Sequence, residues 1–451
     1  MNAKRRRAHL KLAAQPGVRS VRRPVSQDTG DEFDLYYVRA GRKSAHPLVI
    51  IPGGPGPASV GLYRGVRRRA AAAGMDVIMV EHRGVGMSRH DDAGADLPPR
   101  ALTIEQVVDD LVAVLDDAHV DKAVLYGTSY GTYIAAGAGV RHPQRVHGMI
   151  LDSPLLSGND IDDVRATIRR VLWDGTDSDT ADLAPKVRQL VDDGVLTPAA
   201  GQLAAVMYGL GGPTLLNRQL DLLLSGRRGL WTVLDGLARR AVARKAPYRN
   251  EPDLVDRIGF RELNYGGVPD GQPLDPAAAF RDFASDPVEF EAEPFDLTAE
   301  MPKFAWPTVV ISGYRDLITP PAVADRIVSL IPAVTEMLFA IGDGQRLVGV
   351  TSYDHFPPEV SRIARVGGLL DPDVERILAL RPDLVIVYNT QVELKQRLDR
   401  AGIGYYSYGS VTGRPKTTIA AAQPELWKSV KKLNHDIADI GPRLLSGTES
   451  K

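Results

Sequence analysis

The chain has no cysteine among its 451 residues. This absence excludes disulfides, thiolate metal sites and a cysteine nucleophile, and it fits a reducing compartment. No stretch of about eighteen apolar residues occurs, so we expect no membrane span. The chain also has no excess of charge of one sign, because its 55 Lys and Arg residues nearly balance its 56 Asp and Glu residues. This balance does not favour nucleic acid or acidic lipid as a partner.

The first residues, MNAKRRRAHLKLAAQPG, begin like a signal peptide but lack its apolar run. His9, Lys11 and Gln15 interrupt every apolar stretch. The sequence therefore favours a cytoplasmic location. We treat residues 1–29 as an N-terminal extension and expect its basic cluster Lys4–Arg7 to be a solvated, frayed terminus.

A chain of this length predicts two or three domains. Its first third alternates short apolar runs with helical patterns. Strands that are apolar on both faces and separated by helices indicate a parallel sheet covered on both sides. The strand candidates are 46–56, 75–86, 122–131 and 147–154, and the clearest helix is 102–120.

Leu- and Ala-rich helical patterns then replace the strands between 156 and 299. The strand pattern returns in WPTVVISGYRD (306–316). This order predicts an α/β core over 30–155 and 300–325, with a helical cap inserted over 156–299.

A second alternation of strands and helices occupies 326–408, and a tail follows over 409–451. The tail carries an apolar stripe at helical spacing, which predicts one amphipathic helix. The stripe consists of Leu426, Val430, Leu433, Ile437 and Ile440.

Gly127-Thr128-Ser129-Tyr130-Gly131 follows an apolar strand and precedes a run of small residues. A G-x-S-x-G sequence in this setting is typical of a tight strand-to-helix turn that exposes a serine nucleophile. Such a serine needs donors for the oxyanion. We expect the amide of Tyr130 to supply one, and the glycine loop 52–56 to supply the second.

The motifs GGPG, EHRGVGMS (81–88), YGTSYGT (126–132) and SGYRDLITP (312–320) together resemble the α/β-hydrolase superfamily. The most similar branch contains the prolyl iminopeptidases and tripeptidyl aminopeptidases. The resemblance covers about 30–325 and implies a mostly parallel sheet with a helical cap. It implies that Ser129 is the nucleophile, that Tyr130 and Gly54 are oxyanion donors, and that Asp316 orients the base. An Asp that caps the following helix is the alternative for Asp316.

The histidine that should activate Ser129 is not where the resemblance places it. Positions 341–346 read IGDGQR. The histidines after Asp316 are His355 and His435. His355 serves only if an extra element intervenes, and His435 lies in a polar stretch typical of a surface, so a vacant base position is the main expectation.

Residues 326–408 resemble part of one lobe of the periplasmic proteins that bind cobalamin and ferric siderophores. The stretches that carry the resemblance are RIVSLIPAVTEMLFAIG, RLVGVTSYDHFPPEV and RVGGLLDPDVERILALRPDLVIV. It implies that His355 belongs to a turn of this lobe. We hypothesise a composite chain in which the last hydrolase strand has been replaced, with TEMLFAIGDG as the stretch left to take its place.

The predicted function is therefore hydrolysis of peptide, amide or ester bonds, impaired where the triad lacks its histidine. We expect a small molecule or short peptide as substrate and no cofactor or metal. The alternatives are a binding protein for a corrinoid or siderophore and an inactive hydrolase scaffold. Carboxylates of the cap such as Asp253, Asp256 and Glu262 are candidates to bind a substrate amine, and the sequence does not select among them.

Overall fold

A computed structural model describes most of the chain up to residue 408. Among these residues, no helix is both long and apolar enough to cross a bilayer. The described chain forms two sheets, of seven and five strands. The described ranges are 3–26, 30–175, 180–243, 245–283, 288–313, 315–320, 326–340, 344–368, 370–382, 384–388, 390–401 and 403–408.

The N-terminal residues form helix α1 (Ala3–Ala13) and strand β1 (Val18–Pro24). The Arg5 guanidinium donates at 2.6 Å to Glu251, whose side chain is fully buried. The terminus is therefore helical rather than frayed, and Arg5 neutralises a buried carboxylate, whereas Lys4, Arg6 and Arg7 are exposed as expected. The boundary at residue 30 also divides a paired unit, since β1 lies antiparallel to β2 (Glu32–Ala40).

The seven-stranded sheet has the order β1-β2-β4-β3-β5-β6-β7. Its five later strands run parallel to one another, and β2 joins them antiparallel through β4. Their residues are apolar on both faces, as the sequence predicted for a sheet covered on both sides. These strands are β3 (Leu48–Ile51), β4 (Val77–Val80), β5 (Ala123–Thr128), β6 (Val146–Asp152) and β7 (Thr308–Ile311).

Helices cover this sheet because their sequences are amphipathic or made of small residues. The Thr103 hydroxyl caps α4 by accepting from the Gln106 amide, and α4 buries the predicted apolar stripe. A side chain at Gly137 of α5 would lie 2.6 Å from the Phe295 ring, so only glycine lets the two approach. The helices are α2 (Ser59–Leu62), α3 (Arg64–Ala72), α4 (Ile104–Asp117) and α5 (Tyr130–Arg141).

The described part of 156–299 contains helices and no strand. Its apolar residues form a core of their own, which includes Leu172, Leu216 and Leu220. The helices are α6 (Asp160–Ile168), α7 (Leu183–Asp192), α8 (Pro198–Leu224), α9 (Gly229–Ala243), α10 (Asp256–Leu263), α11 (Pro276–Phe283) and α12 (Leu297–Glu300).

The second sheet is parallel throughout, with the order β10-β9-β8-β11-β12. Its strands are β8 (Ile327–Ser329), β9 (Leu347–Val350), β10 (Ala364–Arg365), β11 (Leu384–Tyr388) and β12 (Gly404–Tyr408). Its helices are α13 (Pro332–Ala340), α14 (Val374–Ala379) and α15 (Val392–Arg400).

The junction between the sheets lies between β7 and β8. The stretch TEMLFAIGDG was expected in place of the last hydrolase strand, but its described residues continue α13 and pack on the second sheet. This expectation is wrong because their apolar side chains, such as Leu338 and Phe339, are used by the core of the lobe. Arg326 forms an ion pair of 2.9 Å with Asp163 of α6, which joins the lobe to the cap. The predicted tail helix over 409–451 lies outside the described residues.

Candidate active site

Ser129 occupies the bend between β5 and α5. Its backbone has φ 50° and ψ −120°, a left-handed region that non-glycine residues rarely adopt. The Ser129 amide donates at 2.9 Å to the Asp152 carbonyl at the end of β6, which ties the bend to the sheet. The strained conformation and its position fit the sharp turn that the sequence predicted.

The two glycines of the motif are needed for close packing. A Cβ at Gly127 would lie 2.2 Å from the Gly131 carbonyl oxygen. A Cβ at Gly131 would lie 2.1 Å from the carbonyl oxygen of Ile51, the last residue of β3. The strand, the bend and the helix can therefore approach one another only with glycine at both positions.

The loop 52–56 lies directly beside the serine. A Cβ at Gly53 would be 3.2 Å from the Ser129 Cβ and 3.8 Å from its Oγ. Gly54 has φ 132° and lines the same cavity as Ser129. The Glu251 amide donates at 2.9 Å to the Gly56 carbonyl, which holds the loop against the cap. The structure thus brings the predicted donor Gly54 to Ser129.

Tyr130 is the first residue of α5, where backbone amides have no partner within the helix. Its amide is therefore placed next to the serine, as predicted. Its buried side chain points to a different partner, because the hydroxyl lies 3.0 Å from Nε2 of His82. Burial lowers the pKa of His82 to about 4 and raises the pKa of Tyr130. His82 is therefore neutral at pH 7.

A cavity of about 260 Å³ lies between Ser129 and the first cap helices. Its apolar lining comes mostly from the cap, including Ile161, Val164 and Leu263. The polar residues that line it are Ser129, Ser157, Asp160, Asn264, Tyr265 and Thr319. A small apolar cavity with a few converging polar groups is typical of a ligand site.

Asp160 is the ionisable carboxylate that the sequence reasoning missed in this cavity. It accepts hydrogen bonds from the amides of Leu156 and Ser157, at 2.6 and 3.0 Å. Burial raises its pKa to about 7, and the carboxylates of Asp163 and Glu293 add to the rise. Its position at the start of a helix, soon after β6, was the available sequence signal.

Asp316, the predicted acid, follows β7 at the carboxyl edge of the sheet. One of its oxygens accepts from the amides of Ile318 and Thr319, at 2.9 and 3.0 Å. The other accepts from the Thr319 hydroxyl at 2.8 Å. Asp316 therefore makes hydrogen bonds of the capping type, and residues 321–325, where a following helix was expected, lie outside the described residues.

A second carboxylate, Asp152, lies close to Asp316 at the same edge. Burial and the negative charge of Asp316 raise the pKa of Asp152, although the Tyr126 hydroxyl donates to it at 2.6 Å. Asp152 and Asp316 therefore lie near each other at the carboxyl edge of the sheet.

The structure does not bring His355 to Ser129. His355 is an exposed residue of the loop after β9, and no histidine is among the described residues that line the Ser129 cavity. The adjacent Asp354 is buried and accepts from the Thr351 amide at 2.8 Å, which fixes this turn within the lobe. His435 lies outside the described residues.

The cap carboxylates singled out from the sequence lie elsewhere. Asp253 is paired with Arg89 and Lys245, at 2.8 and 2.7 Å. Glu262 accepts from the Ile104 amide at 2.8 Å. Neither they nor Asp256 is among the described residues lining the Ser129 cavity.

Comparison with known families supports both halves of the chain. Residues 46–191 match the family described as alpha/beta hydrolase fold. Residues 327–412 match the family described as periplasmic binding protein. The two matches do not overlap, and the gap between them contains the junction between the sheets.

Curated relatives match the C-terminal part. A vitamin B12-binding protein of Vibrio cholerae is 34% identical over 96 residues, which are 21% of this chain and 35% of that protein. An uncharacterized ABC transporter substrate-binding lipoprotein of Bacillus subtilis is 31% identical over 116 residues, 25% of this chain and 37% of that protein. The chain spans about a third of the length of these relatives.

The solved structures to which the chain is similar include hydrolases. The proline iminopeptidase of Mycobacterium smegmatis is 15% identical with a TM-score of 0.36, covering 85% of this chain and 100% of that one. The two family matches show an α/β-hydrolase fold at 46–191 and a lobe of the periplasmic-binding-protein type at 327–412.

Proposed function

We propose that this protein is a serine hydrolase of peptide, amide or ester bonds with Ser129 as its nucleophile. The observation that carries the proposal is the left-handed bend that places Ser129 at a cavity beside Gly54. The Ser129 oxygen would attack the acyl carbon and expel the amine or alcohol, leaving an acyl-enzyme. Water would then release the acid and restore the hydroxyl.

The backbone supports the charge that develops in this reaction. Tyr130 follows the serine directly and Gly54 lines the same cavity, so their backbone amides are the proposed donors, and neither depends on a side chain that titrates. Removal of one such donor typically costs about 3–4 kcal/mol of transition-state stabilisation. The two amides would therefore stabilise the oxyanion even if the group that accepts the Ser129 proton is a weak base.

The rate should be low for this fold. No histidine is among the described residues that line the cavity, so Ser129 has no neighbouring imidazole there. Enzymes that lose one triad member retain about 10³–10⁴-fold acceleration over water from the oxyanion site and binding. We therefore propose an impaired hydrolase that favours reactive acyl groups such as esters.

Asp160 suggests which substrates would bind. When ionised, it gives the apolar cavity one negative charge, and Asp163 and Glu293 add to the negative potential. A substrate with a protonated amine next to the scissile acyl group would complement this charge. A short peptide or amino-acid ester with a free amino terminus fits, which agrees with an aminopeptidase-like preference.

A fluorophosphonate probe on the full chain tests this proposal, because it reacts with activated serines. We expect slow labelling of the native chain, no labelling of Ser129→Ala, and retained labelling of Ser157→Ala, which alters the same cavity. Ser129→Ala labelled at the native rate would refute Ser129 as the nucleophile. Absence of labelling in the native chain would favour an inactive scaffold.

The lobe supports a second candidate function. Its relatives include proteins named for binding vitamin B12, although this chain spans about a third of their length. Calorimetry with cyanocobalamin separates the two candidates. Binding without any probe labelling would favour a corrinoid-binding role over hydrolysis.

A further inference from the structure

Arg5 of helix α1 contacts a part of the cap that lies 246 positions further along the chain. Its guanidinium donates to both oxygens of the Glu251 carboxylate, at 2.6 and 3.0 Å. It also donates to the Gly86 carbonyl at 3.0 Å. The guanidinium carbon lies 4.8 Å from the centre of the Tyr248 ring, and the Tyr248 hydroxyl donates at 2.9 Å to the Arg5 carbonyl. A bidentate pair with these added contacts holds both partners in one geometry.

The carboxylate of Glu251 is fully buried, and Arg5 supplies its closest ion pair. Arg89 lies further from this carboxylate, at 3.8 Å. Arg89 is also paired with Asp96 and Asp253, at 2.7 and 2.8 Å. Without the Arg5 guanidinium, Glu251 would be a buried charge with a distant and shared partner. The backbone around it would then have to shift or admit water.

The backbone of Glu251 is bound to the loop 52–56. Its amide donates at 2.9 Å to the Gly56 carbonyl. The next residue of the chain, Pro57, forms an antiparallel bridge with Asn250. The cap therefore pairs with the loop directly after the proposed oxyanion donor, and the same cap residue that binds Arg5 makes the pairing.

We infer that Arg5 is a positioning residue for the proposed hydrolysis and holds the loop 52–56 beside Ser129 through Glu251. The inference rests on the proposed function, in which the Gly54 amide stabilises the oxyanion. Arg5 is not among the described residues that line the Ser129 cavity, so its effect passes through the loop. A misplacement of about 1 Å can lower a rate about a hundredfold, so a loosened loop should slow the reaction of the serine.

The rate of fluorophosphonate labelling at Ser129 tests this inference in the full chain carrying Arg5→Ala. The phosphonyl oxygen of the probe takes the place of the oxyanion, so the labelling rate reports on the position of the donors. At a temperature where circular dichroism shows the variant folded, we expect labelling about tenfold slower than in the native chain, but still complete. A loss of folded protein would lower the final extent of labelling instead. Labelling of Arg5→Ala at the native rate would overturn the inference.

Arg39→Ala is the matched control. Arg39 pairs with Asp76 at 2.6 Å, and the exposed fractions of the two side chains are 12% and 1%, against 10% and 0% for Arg5 and Glu251. This pair lies at the amino edge of the sheet, because the Leu48 amide at the start of β3 donates to the Asp76 carbonyl. We expect a similar loss of stability in Arg39→Ala, with labelling at the native rate. Equal slowing in both variants would overturn the inference, because destabilisation alone would then explain it.

Arg5→Lys is the variant that keeps the charge. It replaces the planar guanidinium fork, which reaches both Glu251 and Gly86, with a single ammonium group. We expect it to fold as the native chain does and to be labelled at a rate between those of the native chain and Arg5→Ala. If Arg5→Ala does not fold, a native labelling rate in Arg5→Lys would overturn the inference.

Hydrogen exchange tests the contact between loop and cap without any activity. In Arg5→Ala, the peptides that contain the Glu251 and Ala58 amides should exchange about tenfold faster, because both amides donate across this contact. The same peptides should be unchanged in Arg39→Ala. Native exchange of both peptides in Arg5→Ala would overturn the inference even where Ser129 is labelled. Absence of labelling in the native chain would count against the proposed function, whereas exchange would still show whether Arg5 holds the loop.

Discussion

The two sheets differ in what covers their carboxyl edges. In the seven-stranded sheet, the cap lies over this edge and encloses Ser129 and Asp160 in one cavity. In the five-stranded sheet, the same edge presents exposed Leu370 and Val392 beside an open groove. Parallel sheets place loops and helix starts at this edge in both cases. Of these two edges, the one covered by a second layer of structure has the cavity that brings a serine and a buried carboxylate together.

The largest expected difference between the two regions concerns ion pairs. Asp110 pairs with Arg83 at 2.7 Å, and both side chains are nearly inaccessible. Asp110→Ala should destabilise the hydrolase core by about 3–5 kcal/mol, because it leaves a buried guanidinium without its partner. In the lobe, Glu393→Ala removes an exposed pair with Arg397 and should cost less than about 1 kcal/mol.

Hydrogen exchange resolved by peptide measures the two regions separately. Asp110→Ala should accelerate exchange in α4 and β5 and leave β11 unchanged. Acceleration of all three to the same extent would mean that the two sheets unfold as one unit, and the comparison would fail.

A smaller difference is expected for two glycines. Gly131→Ala would place a methyl group 2.1 Å from the Ile51 carbonyl oxygen, and the backbone of β3 cannot yield. Gly349→Ala in β9 would meet side-chain methyls of Leu380, Val328 and Val366, at 2.9–3.1 Å, which can shift. We expect a loss of about 3 kcal/mol or more for Gly131→Ala and about 1 kcal/mol for Gly349→Ala.

Urea unfolding followed by hydrogen exchange checks this ranking. Probe labelling of Ser129 should fall in Gly131→Ala and stay at the native level in Gly349→Ala. A reversed order of stability would show that the bend at Ser129 is looser than its packing indicates.

The smallest effect concerns pH. Burial raises the pKa of Asp160 to about 7 in the folded chain, well above that of an exposed carboxyl. The folded state therefore holds this proton more tightly, so the resulting stability is full at acidic pH and is lost as pH rises through 7. Asp160→Asn should weaken the fall in melting temperature between pH 5.5 and pH 8 for the cap.

Lobe residues provide the matched control for this measurement. Asp371→Asn changes a carboxylate on the exposed groove, and the pH dependence should remain that of the native chain. If Asp160→Asn also leaves the pH dependence of the melting temperature unchanged, burial does not penalise ionisation of Asp160. The cavity would then be more hydrated than its lining indicates.

Much of the architecture could be predicted from local pattern. The β-branched runs predicted the parallel strands of the hydrolase core, and the apolar stripe of 102–120 predicted α4. The glycines around Ser129 predicted the bend from the motif, although the contact that requires glycine at 131 is with Ile51 of β3. The N-terminal helix could not be predicted, since Arg5 is ordered by Glu251 from a distant part of the chain.

The site itself was predicted in part. Ser129, Tyr130 and Gly54 lie together, since each follows a strand whose order the motifs imply. Asp160 was missed because its pKa and its place in the cavity arise from packing of the cap. The helical conformation of TEMLFAIGDG was not predicted, because the same apolar residues are compatible with a strand or a helix. Packing of its described residues in the core of the lobe favours the helix.

The sequence by itself determined the bend at Ser129, the two strand-helix alternations and the absence of a histidine at the expected positions. These features depend on the steric and periodic properties of short segments. The tertiary structure decided which charges are buried, which carboxylate enters the cavity and which edge stays open. Those outcomes depend on contacts between distant segments, where burial sets both the pKa values and the energetic cost of each charge.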